Sequence, residues 1–110
     1  MIKIESYGMY NSPGVGAHTF KIIWPGLPGT PSVYYSYETP VAFRYHHDGY
    51  WDLVVWDCQE SPTTKRHIRF ITIDPDVIVN ESDWTWQFNE MLEETGIELP
   101  VIDLHLGAYR

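Results

Sequence analysis

Cysteine is almost missing from this chain: Cys58 is the only one in 110 residues. A single thiol excludes an internal disulfide and a zinc site built from several cysteines, and it points to a reducing compartment. Long apolar runs are missing as well. Nothing approaches the ~18 consecutive apolar residues of a membrane-crossing helix, and the opening MIKIESYGMY has no apolar run of signal-peptide length. A cytoplasmic protein with no membrane span is expected. Positive charge is scarce, with seven Lys and Arg against fifteen Asp and Glu, a formal net charge of −8.

That shortage is unevenly placed. Residues 1–69 balance six bases with six acids, whereas residues 70–110 carry nine acids and one base, Arg110. An acidic third of a chain repels nucleic-acid phosphate over a Debye length of ~8–10 Å, so duplex nucleic acid is disfavoured as a partner. A basic protein surface, or a basic patch on the same molecule, suits it better.

Aromatic rings are plentiful: five Trp, eight Tyr and four Phe. They suit half-buried sheet surfaces, and Tyr and Trp also suit contact faces, where one end of the ring stays wet. The length allows one domain, residues 1–110, with one modest core; no repeat, low-complexity tract or internal boundary interrupts it.

Along the chain, IKIESY alternates as a first strand and His18 to Trp24 reads as a second. Asn11 to Ala17 is a loop without the Lys-Ser/Thr of a phosphate loop, and the three prolines of Pro25 to Pro31 make a connector. Ser32 to His46 is the longest β pattern. Val33, Tyr35 and Tyr37 share one face, Val41, Phe43 and Tyr45 share a second alternating run, and Pro40 between them predicts an edge position or a bulge. Asp48-Gly49 signals a hairpin turn, and Tyr50 to Asp57, apolar on both faces, belongs in the middle of a sheet. The alternation of His67 to Asp74 predicts a further strand, and Leu99 to Arg110, with Ile102, Leu104 and Leu106 in alternation, a last one.

One helix is predicted, over Ser82 to Gly96. Trp84, Phe88, Met91 and Leu92 fall at i, i+4, i+7 and i+8, with Asn80 or Ser82 as cap and Gly96 as terminator. The expected fold class is α+β: a curved antiparallel sheet of five or six strands with one C-terminal amphipathic helix on one face.

Two blocks are familiar. Tyr35, Ser36, Tyr37 with Val41, Ala42, Phe43, followed by Ser61, Thr63, Thr64, Arg66 and His67, resemble a family of small uncharacterised domains encoded largely by bacteriophages, plasmids and related mobile elements. Its members read Tyr-Phe/Tyr-Ser-Tyr, then Val-Ala-Phe, then a tryptophan before Ser-x-Thr-Thr-Gly-Lys-His. Here Glu60 replaces the tryptophan and Lys65 the glycine. The resemblance implies an origin and a fold, and carries no activity with it.

The segment ESPTTKRHIR sets three of the seven bases, Lys65, Arg66 and Arg69, within five positions. Read as a site, Thr63, Thr64, Lys65, Arg66 and His67 would bind a nucleotide or other phosphorylated ligand. Read as a turn, the cations answer the acidic end of the same molecule; charge clusters on turns favour this second reading. His46, His47, Asp48 and Asp52 are metal-capable, and His67 or His105 could add a ligand through the fold, but strand neighbours face opposite ways. No metal site and no cofactor are expected. Neither Cys58 with His67 nor any Ser-His-Asp or carboxylate pair has spacing that marks a catalytic centre, so no enzyme is expected. The favoured function is protein contact through Tyr34, Tyr35 and Tyr37, through Glu90, Glu93 and Glu94, or through both; a homodimer is a further option.

Overall fold

The computed structural model describes residues 1–8, 18–47, 50–103 and 108–109. The Asn11–Ala17 loop, the Asp48-Gly49 turn, Leu104, His105, Leu106 and Arg110 lie outside the described residues, as do the side chains of His47 and Trp51.

Six strands form one sheet in chain order: β1 (Lys3–Ser6), β2 (Thr19–Ile23), β3 (Ser32–Ser36), β4 (Thr39–His47), β5 (Tyr50–Trp56) and β6 (Ile78–Val79). The first five are antiparallel, each to the next; β5, expected in the middle, is instead next to last, with β4 on one side and only the two-residue β6, at Val55 and Trp56, on the other. β6 runs parallel to β5, with Val55 opposite Ile78, and the sheet is therefore mixed where an all-antiparallel one was expected. A parallel pair needs a crossover connection, and here the crossover is a helix.

That helix, α1 (Pro62–Ile71), stands where the alternation of His67 to Asp74 predicted a strand. Ser61 caps it by accepting the Thr64 amide at 3.2 Å, and Pro62 takes the first helical position, where its missing N–H costs nothing. Thr64, His67, Ile68 and Ile71 then line one face at helical spacing, with His67 and Ile68 buried. A short 3-10 turn, Pro75–Val77, leads into β6.

α2 (Glu81–Thr95) is the expected C-terminal helix. Asn80 caps it, accepting the Asp83 amide at 2.9 Å, and Gly96 ends it with φ 73°, donating its amide to the Leu92 carbonyl at 2.9 Å. β7 (Ile102–Asp103) and β8 (Ala108–Tyr109) form a separate two-stranded ladder, so among the described residues the last stretch pairs with itself and not with the main sheet.

The pleat sends alternate side chains to two cores. Phe20, Ile22, Val33, Tyr35, Phe43 and Val54 meet Trp84, Phe88 and Met91 of α2. Ala42, Val55 and Cys58 meet Ile68 of α1 on the other face. The sheet is thus covered on both faces, one helix to each. Val41 joins the α1 side instead of sharing a face with Phe43, because Tyr34 pairs with Ala42 while Tyr35 pairs with Pro40. Val41 is the extra residue of a β-bulge, so Pro40 marks a bulge inside the sheet and not an edge.

The β2–β3 connector depends on Gly29, at φ 75°, where an added Cβ would run into the Cβ of His46 on β4. Gly29→Ala combines the left-handed penalty with this collision and is expected to destabilise by about 2 kcal/mol. Urea unfolding at unchanged m-value is the check, and a loss under about 0.5 kcal/mol would mean that the connector can relax.

Candidate functional site

The end of β3 and the inner face of α1 meet at three polar side chains. Ser36 Oγ lies 2.7 Å from Nδ1 of His67 and 3.3 Å from Oγ1 of Thr64. The sequence separates these partners by 31 and 28 positions; the crossover from β5 through α1 brings them together. Spacing of three residues puts Thr64 and His67 on one helix face, and Ser36 turns inward as the last residue of its strand.

Tyr37 closes this group from outside. It opens a tight connection of two residues between β3 and β4, donates its amide to the His18 carbonyl at 2.8 Å, and has φ 55°. That conformation costs a residue with a side chain about 1–2 kcal/mol. Stacking of the Tyr37 ring on His18, with centroids 4.6 Å apart, offsets part of it, and the His67 ring lies 5.6 Å from Tyr37 on the inner side. Phe70 flanks His67 at 6.4 Å.

His67 is fully buried and Ser36 is 2% exposed. Burial first, and then the charges of His18 and Arg66, hold the His67 imidazole below its ordinary pKa, so it is neutral at pH 7. A neutral ring suits a partnership with the Ser36 hydroxyl, which Thr64 extends, and among the described residues no buried side-chain nitrogen or oxygen is left without a partner. A serine and a histidine in contact invite comparison with a nucleophile and its base. A nucleophile must meet substrate, however, and both side chains are shut away here. The group is a clasp between hairpin and helix.

The residues in this clasp belong to the two blocks singled out in the sequence. Residues 5–83 match the family model described as a family of unknown function, DUF8033. The chain belongs to that family. No curated protein and no solved structure matches it. The matched span of this DUF8033 member runs from β1 into the first turn of α2; it contains the whole clasp, while Trp86, Glu90 and Glu93 lie beyond it.

The five residues expected to gather round an anion do not gather. In the first turns of α1, Lys65 and Arg66 are exposed, Thr63 and Thr64 half-buried, and His67 is interior. The Thr64 amide is held by Ser61 Oγ and the Lys65 amide by the Ser61 carbonyl at 3.0 Å. A helix turns ~100° per residue, which spreads five consecutive side chains round its whole circumference. The expectation that these cations answer the acidic end also fails. Among the described residues the ion pairs run from Lys3 and Lys21 to Glu5, at 3.0 and 4.0 Å, and none joins α1 to α2, which lie on opposite faces of the sheet.

The tyrosines are likewise divided. Tyr35 stacks on Phe20 at 4.9 Å and is 2% exposed; burial pushes its hydroxyl up to about 12, and it is core, not a contact residue. Tyr34 is half-buried on the α1 side beneath the Lys21 ammonium, 5.4 Å from its ring centroid. Tyr37 is the outward member of the three.

Glu90, Glu93 and Glu94 are exposed on α2. Beside them stands a residue that sequence reasoning passed over. Trp86 is 63% exposed although Trp84, two positions earlier, is 7% exposed. The signal was present: Trp86, Glu90 and Glu93 repeat at i, i+4 and i+7, a second stripe opposite the first. Among the described residues, no group of three or more His, Cys, Asp or Glu is placed to hold a metal ion. No helix among them is long and apolar enough to cross a membrane.

Proposed function

We propose that this protein is a non-enzymatic accessory protein of a phage or other mobile element, acting in the host cytoplasm by docking a basic protein on the outer face of α2. The observation that carries the reading is Trp86, an exposed ring among carboxylates on a helix whose other face is fully used by the core. Exposed tryptophans are over-represented among residues that dominate binding energy, and surrounding carboxylates would steer a cationic partner.

Helix electrostatics add a second support. Glu81 and Asp83 sit in the first turn of α2, where the helix dipole favours them. Glu93 sits at the opposite end, where it does not, and no base accompanies it in the last turn. Residues kept against local stability suit a role outside the fold. A second copy of this chain is a poorer occupant, since two bodies of net charge −8 repel.

Glu93→Lys is therefore expected to raise the stability of the isolated domain by about 0.5 kcal/mol while slowing association with a basic partner. The direct test is capture from a lysate of the host, with wild type beside Trp86→Ala and the Glu90→Lys/Glu93→Lys pair. A basic protein retained by the wild type, lost in both variants and weakened by salt supports the proposal. Equal retention by all three proteins, or a retained species that is acidic, overturns it.

A further inference from the structure

The outward side of α1 borders a cleft of about 340 Å3 between that helix and the ends of β5 and β6. Its walls are apolar and partly aromatic: Trp56 and Ile78 from the strands, Ile68 from the helix, with the buried Cys58 thiol beside them. Over this surface stand Lys65 and Arg69. They are four positions apart on one helix, which places their Cβ atoms ~5–6 Å apart on a single face, a span that one phosphate or carboxylate can bridge.

Neither cation has an ionic partner among the described residues, and the acidic helix that might have neutralised them lies beyond the sheet. The one carboxylate on the rim, Asp57, accepts a hydrogen bond from the Gln59 amide and leaves the lining with one net positive charge. A cleft of this size holds a small organic molecule, and its composition, two cations over a ring and aliphatic floor, selects one that is anionic at one end and flat and apolar at the other.

We infer that this cleft binds a small amphipathic anion, its phosphate or carboxylate held between Lys65 and Arg69 and its planar body laid against Trp56, Ile68 and Ile78. The site differs from the α2 face, lies on the other side of the sheet, and does not depend on a protein partner. It also moves the anion-binding role away from the Thr63–His67 turn. Of those five residues it keeps only Lys65, and it adds Arg69, one helical turn further on.

The test is a titration followed by 15N–1H NMR with three probes: adenosine monophosphate, 2-naphthoate and inorganic phosphate. Saturable binding of adenosine monophosphate or 2-naphthoate is expected, moving the Trp56 indole signal and the amides of residues 65–72. Lys65→Gln/Arg69→Gln, which alters only exposed groups, should weaken that binding by about tenfold or more, with the melting temperature nearly unchanged. Phosphate alone should bind about tenfold more weakly than the better organic probe, because it lacks the planar half. Adenosine monophosphate binding without 2-naphthoate would assign the site to phosphorylated ligands, and the converse to carboxylates. No saturation by either organic probe up to about 10 mM, an affinity indifferent to the double variant, or phosphate binding equally well would overturn the inference.

Discussion

Phe43→Ala is expected to remove most of the stability of the domain. Phe43 is fully buried at the middle of β4, and its ring meets Trp84 at 5.9 Å and Phe88 at 5.5 Å. It is the point where the sheet grips α2. Truncating a buried phenylalanine costs about 3–5 kcal/mol, the transfer of the ring plus the cavity left behind, against a total of ~5–15 kcal/mol for a domain of ordinary stability. The variant should be largely unfolded at 37 °C or melt many degrees lower, as followed by circular dichroism. Trp84→Phe, which keeps a ring but loses the bond from the indole nitrogen to the Val54 carbonyl at 3.3 Å, should cost less. A Phe43→Ala protein within about 1 kcal/mol of wild type would place α2 elsewhere.

The second large effect belongs to His67. His67→Ala empties a fully buried site and leaves the Ser36 hydroxyl, itself in contact with Thr64, without its ring partner, for an expected loss of about 3 kcal/mol. Its pH dependence is more diagnostic. The folded-state pKa is lowered from 6.5, so the unfolded chain binds the proton more readily than the folded one. The stabilisation is therefore complete above pH 6.5 and is lost as the pH falls from 6.5 toward the folded value. The limiting slope is about 1.4 kcal/mol per pH unit. Among the groups round the ring are His18 and Arg66, which both oppose its protonation, the Ser36 hydroxyl and the rings of Tyr37 and Phe70. Glu5, whose carboxyl is lowered from 4.5 chiefly by its hydrogen bond to Lys3, contributes in the opposite sense of charge: its part is present above pH 4.5 and lost below it. The His67 contribution in the interval between 4.5 and 6.5 is read as the difference between wild type and His67→Gln. Urea midpoints across it should fall with pH for wild type and flatten for His67→Gln.

These expectations rest on parts of the fold that differ in how readily they can be read from the letters. The α2 stripe is plain because Trp84, Phe88 and Met91 keep helical spacing between a good cap and a glycine. The irregularity at Pro40 is plain too, because a proline brings no amide donor to a ladder and a sheet accepts it only at an edge or a bulge. α1 is not. His67 to Ile73 alternates well enough for a strand, and its isoleucines favour one, so period alone does not decide. What decides is Ser61-Pro62 before it, a cap followed by the residue best suited to the first helical position. Once that segment is a helix, the rest follows. His67 turns inward to Ser36, the cations spread, and β6 must run parallel to β5.

The candidate sites are legible in their chemistry and not in their geometry. Net charge and the Lys65–Arg69 cluster can be counted from the letters, but whether they neutralise one another depends on which face of the sheet each helix covers. The alternation of Val33 and Tyr35 correctly pairs those two, yet only the packed structure shows that their side is the α2 core. Tyr37 leaves the pattern because the turn begins at that residue.

The clasp between Ser36 and His67 joins both recognised blocks and fixes α1 on its face of the sheet, so it is the point at which the account is most exposed. Its direct measurement is a 15N–1H titration of the histidine ring nitrogens in the folded protein between pH 4.5 and 8. A His67 midpoint below 6.5, with a hydrogen-bonded Nδ1, is the predicted result. A midpoint at or above 6.5, with Nδ1 behaving as a solvent-exposed nitrogen, would contradict the clasp and the placement of α1 with it.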